Sequence, residues 1–368
     1  MLHVLANDQL GGTELMVAAL VGAGEPGEVR HELATLAPAG PIAAHVGPPA
    51  RSLGGRRGLA GASWRLARLL RSRDYDVVSA YGLKASVIAR LLVRLRRPRP
   101  VLVCGVRALH VTEVERLDAP KARIAAAIER ALSPLVDVYD SNSRAGLSLL
   151  EGLGVDRARL VHIPNGLDLE RWPARPREPG GGPPVIVCAA RFVERKRHQD
   201  LLHALALLAG QGRGFRAVLA GEGPRLTAMR DLARRMGLGE QVEFPGAIGP
   251  DAIRALLRDA AVACLPSTFE GMPGSVMEAM ASGVAVVATD VPGSDELIVH
   301  GESGWLVPVR DAAALAGALR RLLDDPELRR RLGRGGRARM EECFSLDAML
   351  SAKERLYRER ARPASAIG

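Results

Sequence analysis

The chain has 368 residues, of which 47% are hydrophobic and 25% are charged, and its formal net charge is +10. These values are typical of a globular protein, and the length favours two domains over one. They argue against a membrane bundle, because the longest uncharged run, residues 33–50, contains four prolines.

The cysteines and the basic charge narrow the class of protein and its possible partners further. The four cysteines are far apart and form no CxxC pair, so we expect buried free thiols. The positive charge permits phosphate, anionic-membrane or nucleic-acid partners. However, we find no aromatic interleaving, zinc-ligand spacing or helix-turn-helix pattern, and we expect no nucleic-acid partner. The N-terminal MLHVLAND enters a strand directly and predicts a cytoplasmic protein, with peripheral contact at the inner membrane face left open.

Short apolar strands alternate with amphipathic helices along the whole chain. The first half contains the strands LHVLA, DVVSA, PVLVCG, VDVYDS and RLVHIP, and the second half contains PVIVCAA, FRAVLAG, QVEFPG, AVACLP and VAVVAT. Helices are predicted between them, for example over residues 64–71, 84–94 and 201–209. This alternation predicts an α/β fold with parallel sheets covered on both faces.

A break in this pattern divides the chain. Residues 171–183 read RWPARPREPGGGP, and this concentration of proline, arginine and glycine predicts a linker. We therefore expect an N-terminal α/β domain over 1–170 and a C-terminal α/β domain over 184–345. A last helix within 346–368 is expected to pack back toward the N-terminal domain. Ligands of open parallel sheets bind beyond the carboxyl ends of the strands, so two such domains would face each other across a cleft.

Two loops at predicted strand ends carry groups suited to anions. In LANDQLGGTE, the glycines Gly11 and Gly12 open a helix whose N-terminal amides could bind an anion. In CAARFVERKRHQD, Arg191 and Lys196 follow a strand and could clamp a phosphate. A plain strand-to-helix turn and a solvated basic loop, respectively, remain open alternatives.

Two further loops complete the pattern. LAGEGP places Glu222 in a tight turn after a strand. FEGMPGSVMEAM places Glu270 before a Gly-Pro turn and Glu278 on the helix that follows, with Ser275 as the predicted N-cap. The free amides at this helix start suit a diphosphate, while the two acids can accept hydrogen bonds from sugar and ribose hydroxyls. Together, these loops predict a site for a nucleotide sugar.

These stretches, with VHIPNGLDLERW and the N-terminal GGTE, resemble the retaining glycosyltransferases of group 1, also called family 4, which have the GT-B fold of two Rossmann-like domains. The resemblance covers nearly the whole chain and is strongest over residues 161–307. It implies that the domain over 1–170 is on the acceptor side and that the domain over 184–345 binds the nucleotide sugar. It implies that Arg191 and Lys196 contact the donor diphosphate, that Glu270 faces the transferred sugar, and that Glu278 binds the ribose. Arg191, Lys196 and Glu270 would be the catalytic residues. The implied donor site comprises Gly12, Arg191, Lys196, Glu222, Glu270, Gly271, Met272, Pro273, Gly274 and Glu278.

The N-terminal half departs from the family pattern. Many members have a histidine in the loop that here reads CGVRALHVTE, residues 104–113. Arg107 is expected to contact phosphate or sugar, and His110 is either a surface residue or a catalytic one. The segment AYGLKAS also ends a strand, so Tyr81 and Lys84 are candidate acceptor contacts, as is Gly11; a plain helix start is the alternative.

The resemblance implies a metal-independent transfer of a hexose-type sugar from a nucleotide-diphosphate sugar, with retention of configuration. The acceptor would be a glycan, a lipid-linked molecule or a small molecule in bacterial cell-surface polysaccharide or glycoconjugate synthesis. We expect no cofactor and no metal, because Asp74-Tyr75-Asp76 fits a strand entry better than a metal motif. Two alternatives stay open: a nucleotide-sugar epimerase of the same fold, and a non-catalytic nucleotide-sugar-binding member.

Overall fold

A computed structural model describes residues 1–9, 12–22, 29–55, 57–107, 120–174 and 182–361. The described residues separate into two compact units. Unit 1 contains those within 1–166 and those from 347 onward, and unit 2 contains those within 167–346.

Unit 1 is built on a seven-stranded parallel sheet. Its strands are β1 Leu2–Leu5, β2 Glu32–Thr35, β3 Ala50–Ser52, β4 Val77–Tyr81, β5 Val101–Val106, β6 Val138–Ser141 and β7 Leu160–His162. Its helices before the linker are α1 Gly12–Gly22, α2 Pro41–Val46, α3 Gly58–Ser72, α4 Leu83–Arg94, α5 Pro120–Leu132 and α6 Arg144–Gly152. The strand order is β3-β2-β1-β4-β5-β6-β7.

Unit 2 repeats this plan with six parallel strands. The strands are β8 Val185–Ala189, β9 Arg216–Ala220, β10 Val242–Gly246, β11 Ala260–Leu265, β12 Ala285–Thr289 and β13 Trp305–Val307. The helices are α7 His198–Gly210, α8 Leu226–Arg235, α9 Pro250–Asp259, α10 Gly274–Ala281, α11 Ser294–Leu297, α12 Ala312–Asp324 and α13 Pro326–Cys343. The strand order is β10-β9-β8-β11-β12-β13.

The order of each sheet reverses at one point, between β1 and β4 in unit 1 and between β8 and β11 in unit 2. The loops that leave two such strands run in opposite directions and open a crevice at the carboxyl edge of the sheet, where open α/β sheets bind ligands. The central strands β4 and β11 are buried at every position, as expected when helices cover both faces. The predicted fold class, two parallel α/β domains, is confirmed.

The last helix, α14 Leu346–Arg360, belongs to unit 1 except for its first residue. The Lys353 ammonium donates to one carboxylate oxygen of Asp140, and both side chains are fully buried. The other oxygen of Asp140 accepts a hydrogen bond from Arg107 at 2.8 Å, and the hydroxyls of Tyr357 and Tyr81 lie 3.2 Å apart. α14 is therefore held to the sheet by a buried charge network.

Several local predictions differ from the structure. Strands β2, β3 and β13, with the sequences ELAT, ARS and WLV, were not predicted. Cys104, Cys188 and Cys264 are buried free thiols, but Cys343 is exposed because it ends α13 at the surface. Trp172, within the predicted linker, packs into the core of unit 2. None of the described helices is long and apolar enough to cross a membrane.

Candidate functional site

The loop after β8 is the centre of the site in unit 2. Phe192 is fully buried, and its ring stacks on His198 at a centroid distance of 4.0 Å. The Phe192 amide donates to the carbonyl of Glu222 at 2.8 Å, which fastens this loop to the one after β9. Arg191, next to Phe192 in the chain, is exposed. The buried ring therefore anchors the backbone while the neighbouring guanidinium stays free to meet a ligand.

The glycines of LAGEGP allow the two loops to meet. Gly221 and Gly223 have φ values of 145° and 152°. A Cβ at Gly221 would collide with the carbonyl oxygen of Ala190, and one at Gly223 with the backbone of Phe192. Only glycine fits both the conformation and the close approach. The result is a groove of about 440 Å³ lined by Arg191, Glu222 and small or apolar residues.

Glu270 joins the loop after β11 to the loop after β8. Its side chain is only 5% exposed, and one carboxylate oxygen accepts a hydrogen bond from the Lys196 ammonium. Arg195 lies 3.4 Å from the other oxygen and also donates to the Phe269 carbonyl at 3.3 Å. The Thr268 amide donates to the Arg195 carbonyl at 2.8 Å. The loops that leave β8 and β11 are thus fixed to each other through one acid and two cations.

The turn of FEGMPGSV leads directly into α10. Its N-cap is Pro273, which makes no side-chain capping bond, and the Pro273 carbonyl accepts from the amides of Val276 and Met277. The prediction of Ser275 as the N-cap is wrong: Ser275 is the second helical residue, because the chain enters the helix at Gly274, immediately after the extended proline. The first amides of α10 have no partner within the helix and can bind an anion.

Glu278 lies just after the first turn of α10. Burial raises the pKa of its carboxyl group to about 7, against a smaller opposite effect of Arg254. Its side chain lines a small, mostly apolar cavity with Ile253 and Val276. A carboxyl group with a pKa near neutrality can respond to ligand hydroxyls that bind to its charged form.

The structure places the candidates of unit 1 unequally. Gly12 is the first residue of α1, which follows β1, and Lys84 lies in the first turn of α4, which follows β4. Both residues are exposed, and the strand order reverses between β1 and β4. Tyr81 is only 2% exposed; burial raises its pKa to about 12, and its hydroxyl faces Tyr357. This interior position argues against a contact between Tyr81 and an acceptor. Gly11 and His110 lie outside the described residues.

Arg107, at the end of β5, is held by Asp140 and is 10% exposed. Burial alone would raise the pKa of Asp140, but the cations Lys353 and Arg107 lower it below its ordinary value. Asp140 is therefore ionised, and its carboxylate holds the Arg107 guanidinium in place. The contact of Arg107 with phosphate or sugar stays a prediction made from the resemblance.

Three residues that position the site were not predicted. Arg195 holds Glu270, His198 supports Phe192, and Gly293 approaches the Glu270–Gly271 backbone so closely that a Cβ would collide with the Gly271 carbonyl. Arg195 gave little local signal because it acts on Glu270, which is distant in the sequence, and His198 is a lone histidine without a motif around it. In the described part of the chain, no group of three or more His, Cys, Asp or Glu side chains could hold a metal ion.

Known proteins match both halves of the chain. The model of the glycosyl transferases group 1 matches residues 171–339, and that of glycosyltransferase family 4 matches residues 10–171. A glycogen synthase of Mycobacterium tuberculosis is 31% identical over 260 residues, which are 68% of this chain and 62% of that protein. A GDP-mannose-dependent phosphatidylinositol monomannoside mannosyltransferase of the same species is 28% identical over 74% of this chain and 73% of its own length. The match thus spans about three fifths of the first relative.

Solved structures share the fold over nearly the whole chain. HepE of Anabaena, solved in complex with UDP and glucose, has a TM-score of 0.81 at 19% identity, and the match covers 97% of this chain and 99% of HepE. Sucrose-phosphate synthase of Thermosynechococcus elongatus has a TM-score of 0.79 at 22% identity, with 98% of each chain covered. With both halves matched by the two family models, the chain belongs to the group 1, or family 4, glycosyltransferases, as its motifs predicted.

Proposed function

We propose that this chain is a retaining glycosyltransferase that transfers a hexose-type sugar from a nucleotide-diphosphate sugar without a metal ion. The observation that carries the proposal is that the loops leaving β8 and β11, where the strand order reverses, carry Arg191, Lys196, Glu270 and the start of α10, and that Lys196 pairs with Glu270 across them. Cations, amides and carboxylates at that position match the three parts of a nucleotide sugar. The complexes of HepE with UDP and with UDP-glucose support a donor of this class.

The donor diphosphate would bind next to Lys196 and the first amides of α10. The ammonium of Lys196 has three donors, so it can contact a phosphate oxygen while one hydrogen bond to Glu270 holds it in place. Arg191, exposed on the groove beside Glu222, would contact the second phosphate. Glu278 would accept hydrogen bonds from the ribose hydroxyls.

The transfer breaks the bond between the anomeric carbon and the phosphate oxygen and forms a bond to the acceptor oxygen on the same face of the sugar. The proton of the acceptor hydroxyl passes to the departing phosphate. Charge grows on the diphosphate as it leaves, and Arg191, Lys196 and the helix amides would stabilise that charge. Glu270 would stabilise the positive charge that develops on the sugar.

The acceptor would be bound by unit 1 and would be a glycan, a lipid-linked molecule or a small molecule of bacterial cell-surface glycoconjugate synthesis. Lys84 and Arg107 are the described candidates for this contact. The basic charge of the chain would suit an acceptor presented at an anionic membrane.

A panel of UDP-, GDP-, ADP- and TDP-sugars tests the proposal on the intact protein. We expect one donor class to raise the melting temperature and to be slowly hydrolysed, with equal rates in EDTA and in Mn²⁺. Addition of acceptors should give a glycosylated product, whose first-formed anomer matches that of the donor.

Other outcomes of the panel would overturn the proposal. An epimerised sugar nucleotide would identify an epimerase, and donor binding without turnover towards any acceptor would identify a non-catalytic binder. Strict dependence on Mn²⁺ or Mg²⁺ would contradict the metal-independent mechanism.

A further inference from the structure

Three helices of unit 1 form one layer on one face of its sheet. α3 packs against α4, and α4 packs against α5. These helices connect β3 to β4, β4 to β5 and β5 to β6, always in the same direction across the sheet. Because such crossovers are right-handed, all three helices lie on the same face. We call the solvent-facing side of α3, α4 and α5 the helical layer surface.

Large apolar side chains are concentrated on the helical layer surface. Trp64 on α3 is 60% exposed, Leu91 on α4 is 51% exposed, and Ile124 on α5 is 59% exposed. Leu95, the residue that follows α4, is 76% exposed. Single exposed apolar residues are common, but several on adjoining helices indicate an interaction surface.

The same surface is strongly basic. α3, α4 and α5 together contain nine lysines and arginines but only one acidic residue, whereas the whole chain has a net charge of +10. α3 and α4 contain no acidic residue, and the one acid of α5, Glu129, is buried against Arg90. Arg68, Arg71 and Arg94 are exposed, and none of the described carboxylates pairs with them. The positive charge of the protein is thus concentrated beside its exposed apolar residues.

The contact between Arg68 and Trp64 shows how the two kinds of side chain combine. The guanidinium carbon of Arg68 lies 5.9 Å from the centre of the Trp64 ring. A tryptophan with an arginine over it can place the indole at the level of lipid headgroups while the guanidinium binds phosphate. Arginine stems also cover apolar surface and leave their charge at the rim.

We propose that the helical layer surface docks on an anionic lipid bilayer, with Trp64, Leu91 and Leu95 in the headgroup region and the arginines on lipid phosphates. The mixture of side chains favours this partner over two others. A nucleic acid would use the arginines but would leave the exposed leucines in water. A second copy of the chain would bring two basic surfaces together without acids to pair them.

Sedimentation with vesicles tests the docking surface on the intact protein. We expect binding to vesicles of equal parts phosphatidylcholine and phosphatidylglycerol, and little binding to phosphatidylcholine alone. The apolar variant Trp64→Ser/Leu91→Ser and the charge variant Arg68→Glu/Arg71→Glu/Arg94→Glu should each bind at least about tenfold more weakly. All five positions are exposed, so melting temperatures should stay close to that of the wild type.

Matched changes in unit 2 provide the control. Leu207 is 45% exposed on α7, and Arg235, Arg320 and Arg334 are exposed. The variant Leu207→Ser/Val309→Ser also removes two exposed apolar side chains, and Arg235→Glu/Arg320→Glu/Arg334→Glu changes the net charge by the same amount, but both lie away from the helical layer surface. They should bind vesicles as the wild type does. Equal loss in the control would mean that net charge alone drives adsorption and would overturn the proposal.

Tryptophan fluorescence gives a second, local measurement. Emission should shift to the blue on addition of the anionic vesicles, and Trp64→Phe should remove most of that shift, because Trp172 is buried and the half-buried Trp305 lies in unit 2. Three results would overturn the proposal. They are the absence of a fluorescence shift, unchanged vesicle binding by the apolar variant, and self-association of the wild type without lipid that both variants lose. The vesicle assay contains no donor, so its outcome is independent of the proposed transferase activity.

Discussion

Glu278 is the residue of unit 2 whose titration should be easiest to detect. Its pKa is raised by burial from 4.5 to about 7, so the folded chain binds this proton more tightly than the unfolded chain does. Stability should therefore fall as the pH rises from about 4.5 to about 7. Glu278→Gln should remove this loss, and it should be more stable than the wild type at pH 8, by up to about 3 kcal/mol, but not at pH 4.5.

Urea unfolding at the two pH values measures this effect. A difference between Glu278→Gln and wild type that is the same at both pH values would contradict it. If ribose hydroxyls donate to this carboxylate, the affinity for nucleotide should also rise with pH up to about 7, and this rise should be absent in Glu278→Gln.

His198 should control the position of Arg191 without contacting ligand. Its Nε2 atom is buried without a partner, and the backbone of Ala190 interacts with the ring, so we infer that Nδ1 carries the proton and donates it to the Ala190 carbonyl. Burial, and next the Lys196 charge, lower the pKa of His198 to about 4. The ring thus holds the two residues that flank Arg191, one through a hydrogen bond and the other through stacking.

His198→Gln should lower donor hydrolysis about tenfold, on the scale of losing one hydrogen bond and part of a stacking contact. His203→Gln is the matched control, since His203 is exposed on the same helix and bonds only the Gln199 carbonyl within it. Nitrogen NMR should show the Nδ1–H tautomer of His198 in the free protein. Equal activity of the two variants would refute a positioning role for His198.

At the level of elements, the loop after β11 depends on a glycine far along the chain. Gly293 has a φ of 88°, and a Cβ there would collide with the Gly271 carbonyl beside Glu270. Gly301 has a similar φ of 79° but open space around it. Alanine at either glycine has the same cost in backbone conformation, but only alanine at Gly293 would also displace the loop. A comparison of the two variants therefore separates these two effects.

Gly293→Ala should therefore lower donor hydrolysis at least about tenfold and reduce stability by more than Gly301→Ala does, which should lose only about 1 kcal/mol. Steady-state hydrolysis and chemical unfolding of both variants provide the measurement. If both variants keep full activity, the close packing of this loop is not needed for its function.

The elements that local pattern specifies were predictable, and those that depend on distant contacts were not. The strand-loop-helix units around Arg191 and Glu270 are contiguous in sequence, so periodicity and glycine placement indicated them. Tyr81 looked equally available at its strand end, yet α14 returns from the far end of the chain to bury it. The Ser275 cap failed because Pro273 already fixes the helix entry, and the pairing of Lys196 with Glu270 joins loops more than seventy residues apart.

At the scale of the whole molecule, α14 returns to unit 1 after the chain has formed unit 2. Lys353 on α14 is buried against Asp140, so its removal should leave that carboxylate with Arg107 alone. We expect Lys353→Met to destabilise unit 1 by about 3 kcal/mol, because breaking a buried pair leaves a poorly compensated charge. Hydrogen exchange should accelerate in β4, β6 and α14 while unit 2 is unaffected.

Arg358→Met is the control for the same helix. Arg358 is exposed and lies 3.3 Å from Glu354, and such surface pairs contribute about 0.5 kcal/mol or less. Its exchange pattern should match the wild type. Faster exchange spread evenly over both units in Lys353→Met would contradict a local role for the buried network.

The central claim is that Lys196 and its surroundings in unit 2 bind and activate the diphosphate of a sugar donor. The most direct test compares donor turnover and nucleotide affinity of the wild type with those of Lys196→Ala, using the surface variant Arg216→Ala as control. The account predicts a loss of turnover of roughly 100-fold or more in Lys196→Ala with the fold intact, and no loss in the control. Normal turnover by Lys196→Ala would contradict it.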